Sequence, residues 1–224
     1  MLIFEGMGTD RCYPKDEAFL QGFKDKLREL KSSAQVETKC VAPPLHTSIT
    51  KLKEARHWAD YAFDRSVSQE EAEYKYRNET HVPDWQRQLK SSLTDDLWSW
   101  VKRQADQGKQ GVLVGTSNGA VAASAVALYL SERYGMKPHL VLLSGLPAYE
   151  QCEDLRRIYS GSVGSIVMTV ASQERYFGGI PTFYSFAGWI FADVKTFEGT
   201  HAHEPEELTR KLGKHVAKQL EAHR

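Results

Sequence analysis

The chain is expected to fold as an α/β protein: a mostly parallel sheet of about six strands with helices on both faces. Two observations predict this. Short apolar runs alternate with helix-periodic segments along almost the whole sequence. Several of those runs are continuously apolar rather than alternating, which is the signature of strands buried on both faces.

Leu2-Ile3-Phe4 is the first such run, and it ends in the glycine turn Gly6-Met7-Gly8. Phe19, Leu20, Phe23, Leu27 and Leu30 recur at helical spacing and predict an amphipathic helix over 16–32. Val36 to Val41 is expected to be a second strand, stopped by Pro43-Pro44. The segment of about 47–82 is charged, carries Trp58, Tyr61, Phe63, Tyr74 and Tyr76, and shows no strand pattern. It is expected to be a helical or irregular insertion after the second strand. Trp85, Leu89, Leu93, Leu97 and Trp100 predict a long helix over about 84–106.

Gly111-Val112-Leu113-Val114 is the third predicted strand. A helix over 118–134 follows, closed by Gly135. Strands are predicted at 140–143, 165–170 and 190–197. Leu208, Leu212, Val216 and Leu220 mark a last helix, with Pro205 suited to its first turn. No repeat or interdomain linker is visible, so residues 1–224 read as one domain.

Composition narrows the function classes. Lys+Arg and Asp+Glu are both 29, so the formal net charge is zero and nothing in the total favours nucleic acid or an anionic membrane. No apolar run approaches the ~20 residues that span a bilayer. The N-terminus lacks the basic and apolar regions of a signal peptide. A cytoplasmic location is the expectation. Cys12, Cys40 and Cys152 are widely spaced and form no zinc or redox pattern, so reduced thiols are expected.

The chemistry concentrates at Gly115-Thr116-Ser117-Asn118-Gly119-Ala120, a G-x-S-x-G pattern. The pattern alone is short. Here it follows a buried strand and opens a small-residue helix, the strand–turn–helix context of a nucleophile elbow. In such a turn the residues two before and two after the serine approach closely, which is why glycines stand there. The turn lifts the hydroxyl to a helix N-terminus, where developing negative charge is favoured.

A serine needs a base. The loop between the last strand and last helix holds Gly199-Thr200-His201-Ala202-His203. His201 is the expected base and His203 its competitor; a two-histidine surface or metal pair is the bland alternative. The acid is expected after the fifth strand, where Glu174 is the carboxylate in Ser172-Gln173-Glu174-Arg175. Its task is to hold the histidine tautomer and stabilise the imidazolium. Asp193 and Glu150 are alternatives, and a solvated Glu174 paired with Arg175 is the non-catalytic reading. Two backbone N–H groups should hold the oxyanion. Those of Met7 and Asn118 are the candidates.

Together these residues resemble the α/β-hydrolase superfamily, and within it small, lightly capped esterases such as the fungal-type serine hydrolases and small carboxylesterases. The likeness covers nearly the whole chain in element order. It rests on the elbow at Ser117, on Gly199-Thr200-His201 beside the family's Gly-Gly-His, and on Leu143-Ser144-Gly145-Leu146-Pro147 at the fourth strand's end. The chain departs from the family at Glu5-Gly6, where His-Gly is common, and at Ser172-Gln173-Glu174, where Gly-x-x-Asp is usual. The resemblance implies an α/β-hydrolase fold, an acyl-enzyme on Ser117 and cleavage of a small-molecule carboxylic ester or thioester without cofactor or metal. A fold-sharing protein that binds ligand without turnover is the competing reading.

Two segments flank the expected site. Tyr176 to Trp189 carries Phe177, Phe183, Tyr184 and Phe186. These aromatics either line an acyl pocket or fill a helix–sheet interface. Arg56, Arg65 and Arg77 in the insertion either meet an anionic substrate or form a solvated face with Glu70, Glu71 and Glu73. Gly6-Met7-Gly8 is no dinucleotide turn, since position 11 is arginine.

Overall fold

The computed structural model describes residues 1–4, 14–41, 95–117, 119–147, 159, 161, 163–174 and 179–222. Its elements run β1 (Leu2–Phe4), α1 (Pro14–Glu29), β2 (Lys39–Val41), α2 (Asp95–Asp106), β3 (Val112–Thr116), α3 (Gly119–Tyr134), β4 (His139–Leu143), β5 (Ser165–Ala171), α4 (Ile180–Ile190), β6 (Asp193–Phe197) and α5 (Glu206–Ala222). The strands form a six-stranded sheet in the order β2-β1-β3-β4-β5-β6, and every pairing is parallel.

Strand residues alternate between two cores. Leu2, Phe4, Leu113, Leu140, Leu142, Ile166, Met168 and Val170 face a layer made by α2, α3 and α4. Ile3, Val112, Val114, Val141, Leu143 and Val167 face α1 and α5, which contribute Phe19, Phe23, Leu27, Leu212, Val216 and Leu220. That explains why the central strands read as continuous apolar runs: both of their faces are covered. The helices of the second layer pack backbone to backbone. A Cβ on Gly22 would overlap the Arg210 carbonyl, and one on Gly213 would overlap the Phe19 carbonyl.

Two boundaries differ from expectation. The second strand is limited to Lys39–Val41, the residues in register with Leu2 to Phe4. The predicted 84–106 helix ends at Asp106 as expected; Asp95–Asp106 is helical, and 84–94 lie outside the described residues. The predicted strand over 190–197 begins only at Asp193, because the helix α4 runs through Ile190. Pro181 sits in the first turn of α4, where its missing N–H costs nothing. Phe191 caps the helix in the left-handed region at φ 55°, its N–H bonded to the Ala187 carbonyl.

That helix decides the role of two aromatics. Phe183 and Phe186 are fully buried in the core against the sheet. Burying each stabilises the fold by about 1.5–3 kcal/mol, and these two rings fill the helix–sheet interface rather than a substrate pocket. Tyr184, on the same helix, is exposed.

Cys40 is disulfide-bonded, against the expectation of reduced thiols; its partner lies outside the described residues. The insertion at 47–82, with Arg56, Arg65 and Arg77, also lies outside them. Among the described residues no helix is long and apolar enough to cross a membrane.

Candidate active site

The chain leaves β1 toward β2 on one side and returns through β3 on the other, so the strand order reverses between β1 and β3. Open parallel sheets form a crevice at the carboxyl ends of strands beside such a switch point. Ser117 follows β3 directly, at that end.

The turn around Ser117 has the strain expected of an elbow. Its φ is 50°, in the left-handed region that non-glycine residues avoid. Such a conformation costs about 1–3 kcal/mol and persists only where its surroundings enforce it. The surroundings here are visible. The Ser117 N–H donates to the Leu143 carbonyl at 2.8 Å, and the Ser117 carbonyl accepts from the Ala120 N–H at 3.0 Å. A Cβ on Gly115 would stand 2.6 Å from the Ala120 Cα, so the close approach across the turn requires glycine there. From the next strand, a Cβ on Gly145 would overlap the Ser117 carbonyl. Leu143-Ser144-Gly145 is thus the wall against which the elbow is pressed.

His201 and Glu174 converge on this serine. His201 Nε2 lies 2.8 Å from Ser117 Oγ, and His201 Nδ1 lies 2.7 Å from Glu174 Oε2. A carboxylate facing Nδ1 selects the tautomer with its proton on that nitrogen. Nε2 is then an acceptor, and the Ser117 hydroxyl donates to it. The Glu174 side chain is completely buried, whereas that of His201 is 21% exposed. The acid is therefore shielded from water and Ser117 is buried beside it, while one edge of the histidine ring reaches the surface.

Main-chain bonds hold the acid and histidine loops together. The Ser172 N–H donates to the Phe197 carbonyl at 2.7 Å, and the Gln173 N–H to the Gly199 carbonyl at 3.0 Å. These continue the β5–β6 ladder past its last pair, Ala171 with Phe197. Glu174 then turns back, its N–H bonded to the Ala171 carbonyl at 3.1 Å.

The alternatives fall elsewhere. His203 does not engage Ser117; its Nδ1 lies 2.7 Å from the His201 carbonyl oxygen and donates to it. Asp193 stands at the opposite end of β6, about 13 Å of strand away from Phe197. It is half exposed and paired with Lys195 at 2.8 Å. Glu150, Met7 and Asn118 lie outside the described residues. Among the described residues no group of three or more His, Cys, Asp or Glu side chains is arranged to hold a metal ion.

A cavity of about 510 Å³ opens at the amino-terminal end of the sheet, lined by Met1, Leu27, Val36, Trp100 and Lys109 among others. It lies across the sheet from Ser117 and plays no part in the convergence just described.

Sequence reasoning missed one buried polar cluster beside the site. Glu204 is 5% exposed and Ser144 and Thr169 are fully buried. The Ser144 and Thr169 hydroxyls both donate to Glu204 Oε1, at 2.6 and 2.9 Å. The available signal was a charged residue just after the histidine loop, in front of Pro205.

The sequence matches no protein-family model and no curated protein. Solved structures match over nearly the whole chain. SOBER1 of Arabidopsis thaliana aligns with a TM-score of 0.55 at 11% identity, covering 98% of this chain and 97% of that one. Est1E from Butyrivibrio proteoclasticus aligns with a TM-score of 0.51 at 12% identity, covering 98% of this chain and 87% of that one. A protein of Xanthomonas campestris pv. campestris assigned to the alpha/beta hydrolase superfamily covers 97% of this chain and 96% of its own at 14% identity. Its TM-score of 0.47 adds no weight. At these identities the likeness concerns architecture. The chain has the α/β-hydrolase fold.

Proposed function

We propose that this α/β-hydrolase-fold chain is a serine hydrolase that cleaves a carboxylic ester or thioester through an acyl-enzyme on Ser117. The observation that carries the proposal is the continuous hydrogen-bonded line from Ser117 Oγ through the His201 ring to Glu174. A serine, a base within reach and a buried group orienting that base are the parts that activate a hydroxyl nucleophile.

In this reading Ser117 Oγ attacks the carbonyl carbon while its proton passes to His201 Nε2. Glu174 stabilises the imidazolium that results. The carbonyl oxygen becomes an oxyanion, held by the Asn118 and Met7 backbone N–H groups and favoured by the N-terminus of α3. As the tetrahedral centre collapses, the alcohol or thiol leaves with the proton from His201. Water then attacks the acyl carbon, His201 takes its proton, and the acid departs as Ser117 regains its hydrogen. Neither half-reaction calls for a metal or an organic cofactor. The substrate is a small molecule.

The test is covalent labelling. A fluorophosphonate probe should modify the wild-type chain at Ser117, with the adduct located by peptide mass spectrometry. Absence of an adduct at Ser117 in folded protein would overturn the proposal and leave a non-catalytic ligand-binding role as the reading of this fold.

The two histidines separate in the same assay. His201→Ala should abolish labelling and turnover, because it removes the base. His203→Ala loses contacts to the His201 carbonyl and the Thr200 hydroxyl, each worth about 0.5–1.5 kcal/mol, and should keep turnover within roughly tenfold of wild type. A collapse of activity in His203→Ala with His201→Ala intact would exchange their roles.

A further inference from the structure

We infer that Glu204 is a positioning residue, which sets the reach of His201 toward Ser117 by anchoring the histidine loop to the ends of β4 and β5. The inference rests on the serine-hydrolase reading above.

His201 sits in a short loop between β6 and α5 that is fastened at both of its ends. Ala202, next after the histidine, has a φ of 57°, a left-handed conformation that a non-glycine residue avoids and that its surroundings must enforce. The front of the loop is fastened by the Gly199 carbonyl to the Gln173 N–H and by the Gly199 N–H to Ser172 Oγ at 3.3 Å. The rear is fastened by Glu204. One oxygen of its carboxyl group accepts the hydroxyls of both Ser144 and Thr169, and Thr169 Oγ1 in turn accepts the Ser144 N–H at 2.9 Å. These three groups form a closed set of bonds away from water.

The two anchors are well chosen for geometry. Ser144 lies between Leu143, whose carbonyl holds the Ser117 N–H, and Gly145, which presses on the Ser117 carbonyl. Thr169 belongs to β5, the strand that leads into Glu174. Glu204 therefore ties the base loop to the two segments that fix the nucleophile and the acid. Ser144 itself has a φ of 44°, which the same set of bonds helps to enforce. None of these side chains touches the reacting atoms, so the effect passes through the placement of His201.

The experiment combines fluorophosphonate titration of active sites with hydrolysis of p-nitrophenyl acetate, in wild type, Glu204→Ala, Glu204→Gln and Thr169→Val, with melting temperature measured in parallel. A displacement of about 1 Å in a catalytic group costs on the order of 10²-fold, so Glu204→Ala should lose at least about tenfold in kcat per titrated site with KM little changed. Glu204→Gln keeps an oxygen able to accept both hydroxyls and should recover most of that loss. Thr169→Val preserves volume, removes both the bond to Glu204 and the acceptor of the Ser144 N–H, and should lower kcat per titrated site by roughly threefold, giving a readout if the alanine variant does not fold.

A merely structural role would lower melting temperature and the titrated fraction while leaving kcat per site unchanged. Wild-type kcat per site in Glu204→Ala, or in Thr169→Val where the former is unfolded, overturns the inference. An unlabelled, inactive wild type overturns the serine-hydrolase reading and this inference with it; a labelled, active wild type beside an unaffected Glu204→Ala overturns this inference alone.

Discussion

Ser117→Ala should reduce ester hydrolysis by about 10⁵–10⁶-fold in kcat, the scale on which loss of the nucleophile acts when its partners form a unit. The change removes one oxygen from a strained turn and little else. Ser117 is already held by backbone bonds to Leu143 and Ala120 that alanine also makes. The variant should therefore fold and melt near wild type, and ligand binding should survive. That combination separates a lost nucleophile from a lost structure. Any residual rate reflects substrate binding and oxyanion stabilisation, which do not depend on the hydroxyl. Steady-state hydrolysis of an activated ester, with melting temperature as control, measures it. Turnover near the wild-type rate in the purified variant would remove Ser117 from the mechanism.

The second large effect is expected at the acid. Glu174→Gln should lower kcat by roughly 10³–10⁴-fold while preserving the shape of the site. The cause is the tautomer. Glu174 Oε2 faces His201 Nδ1 from a completely buried side chain. An amide there can present its N–H₂ to Nδ1, which moves the ring proton to Nε2 and leaves no acceptor for the Ser117 hydroxyl. The imidazolium formed during attack also loses its compensating charge in a site sheltered from water. Asp193→Asn is the contrast: Asp193 is half exposed and paired with Lys195, so its loss should leave kcat within about twofold. A Glu174→Gln variant that hydrolyses like wild type, measured beside it, would refute the acid assignment.

How much of this was legible before the structure depends on range. The elbow was legible because its causes are local: a buried strand, glycines at Gly115 and Gly119, and the small residues of α3 all lie in one stretch of chain. The helices α1, α3 and α5 were legible for the same reason, since periodicity is read within a window. The helix α4 was not. Its apolar and aromatic residues do not alternate with polar ones, and only Gly179 and Pro181 marked its start. The aromatic run that contains Phe183 and Phe186 left two roles open, and burial against the sheet chose between them.

By itself the sequence determined the α/β class, the order of the strands with the helices α1, α3 and α5 among them, and the nucleophile candidate on its turn. Which side chains meet that candidate was decided only by tertiary structure. His201 and His203 have the same chemistry and neighbouring positions, and the turn through Ala202 sends one ring to Ser117 and the other back to the His201 carbonyl. Glu174 and Asp193 are both carboxylates near β5 and β6, and the parallel register puts one at the carboxyl edge and the other at the opposite end. The Glu204 bonds to Ser144 and Thr169 join residues 60 and 35 positions apart. The physical reason is the same throughout: a side chain's type is written locally, but its neighbours across the sheet are set by packing and register between distant segments. Ser117 and His201, 84 residues apart, meet only because the sheet brings the ends of β3 and β6 to one edge.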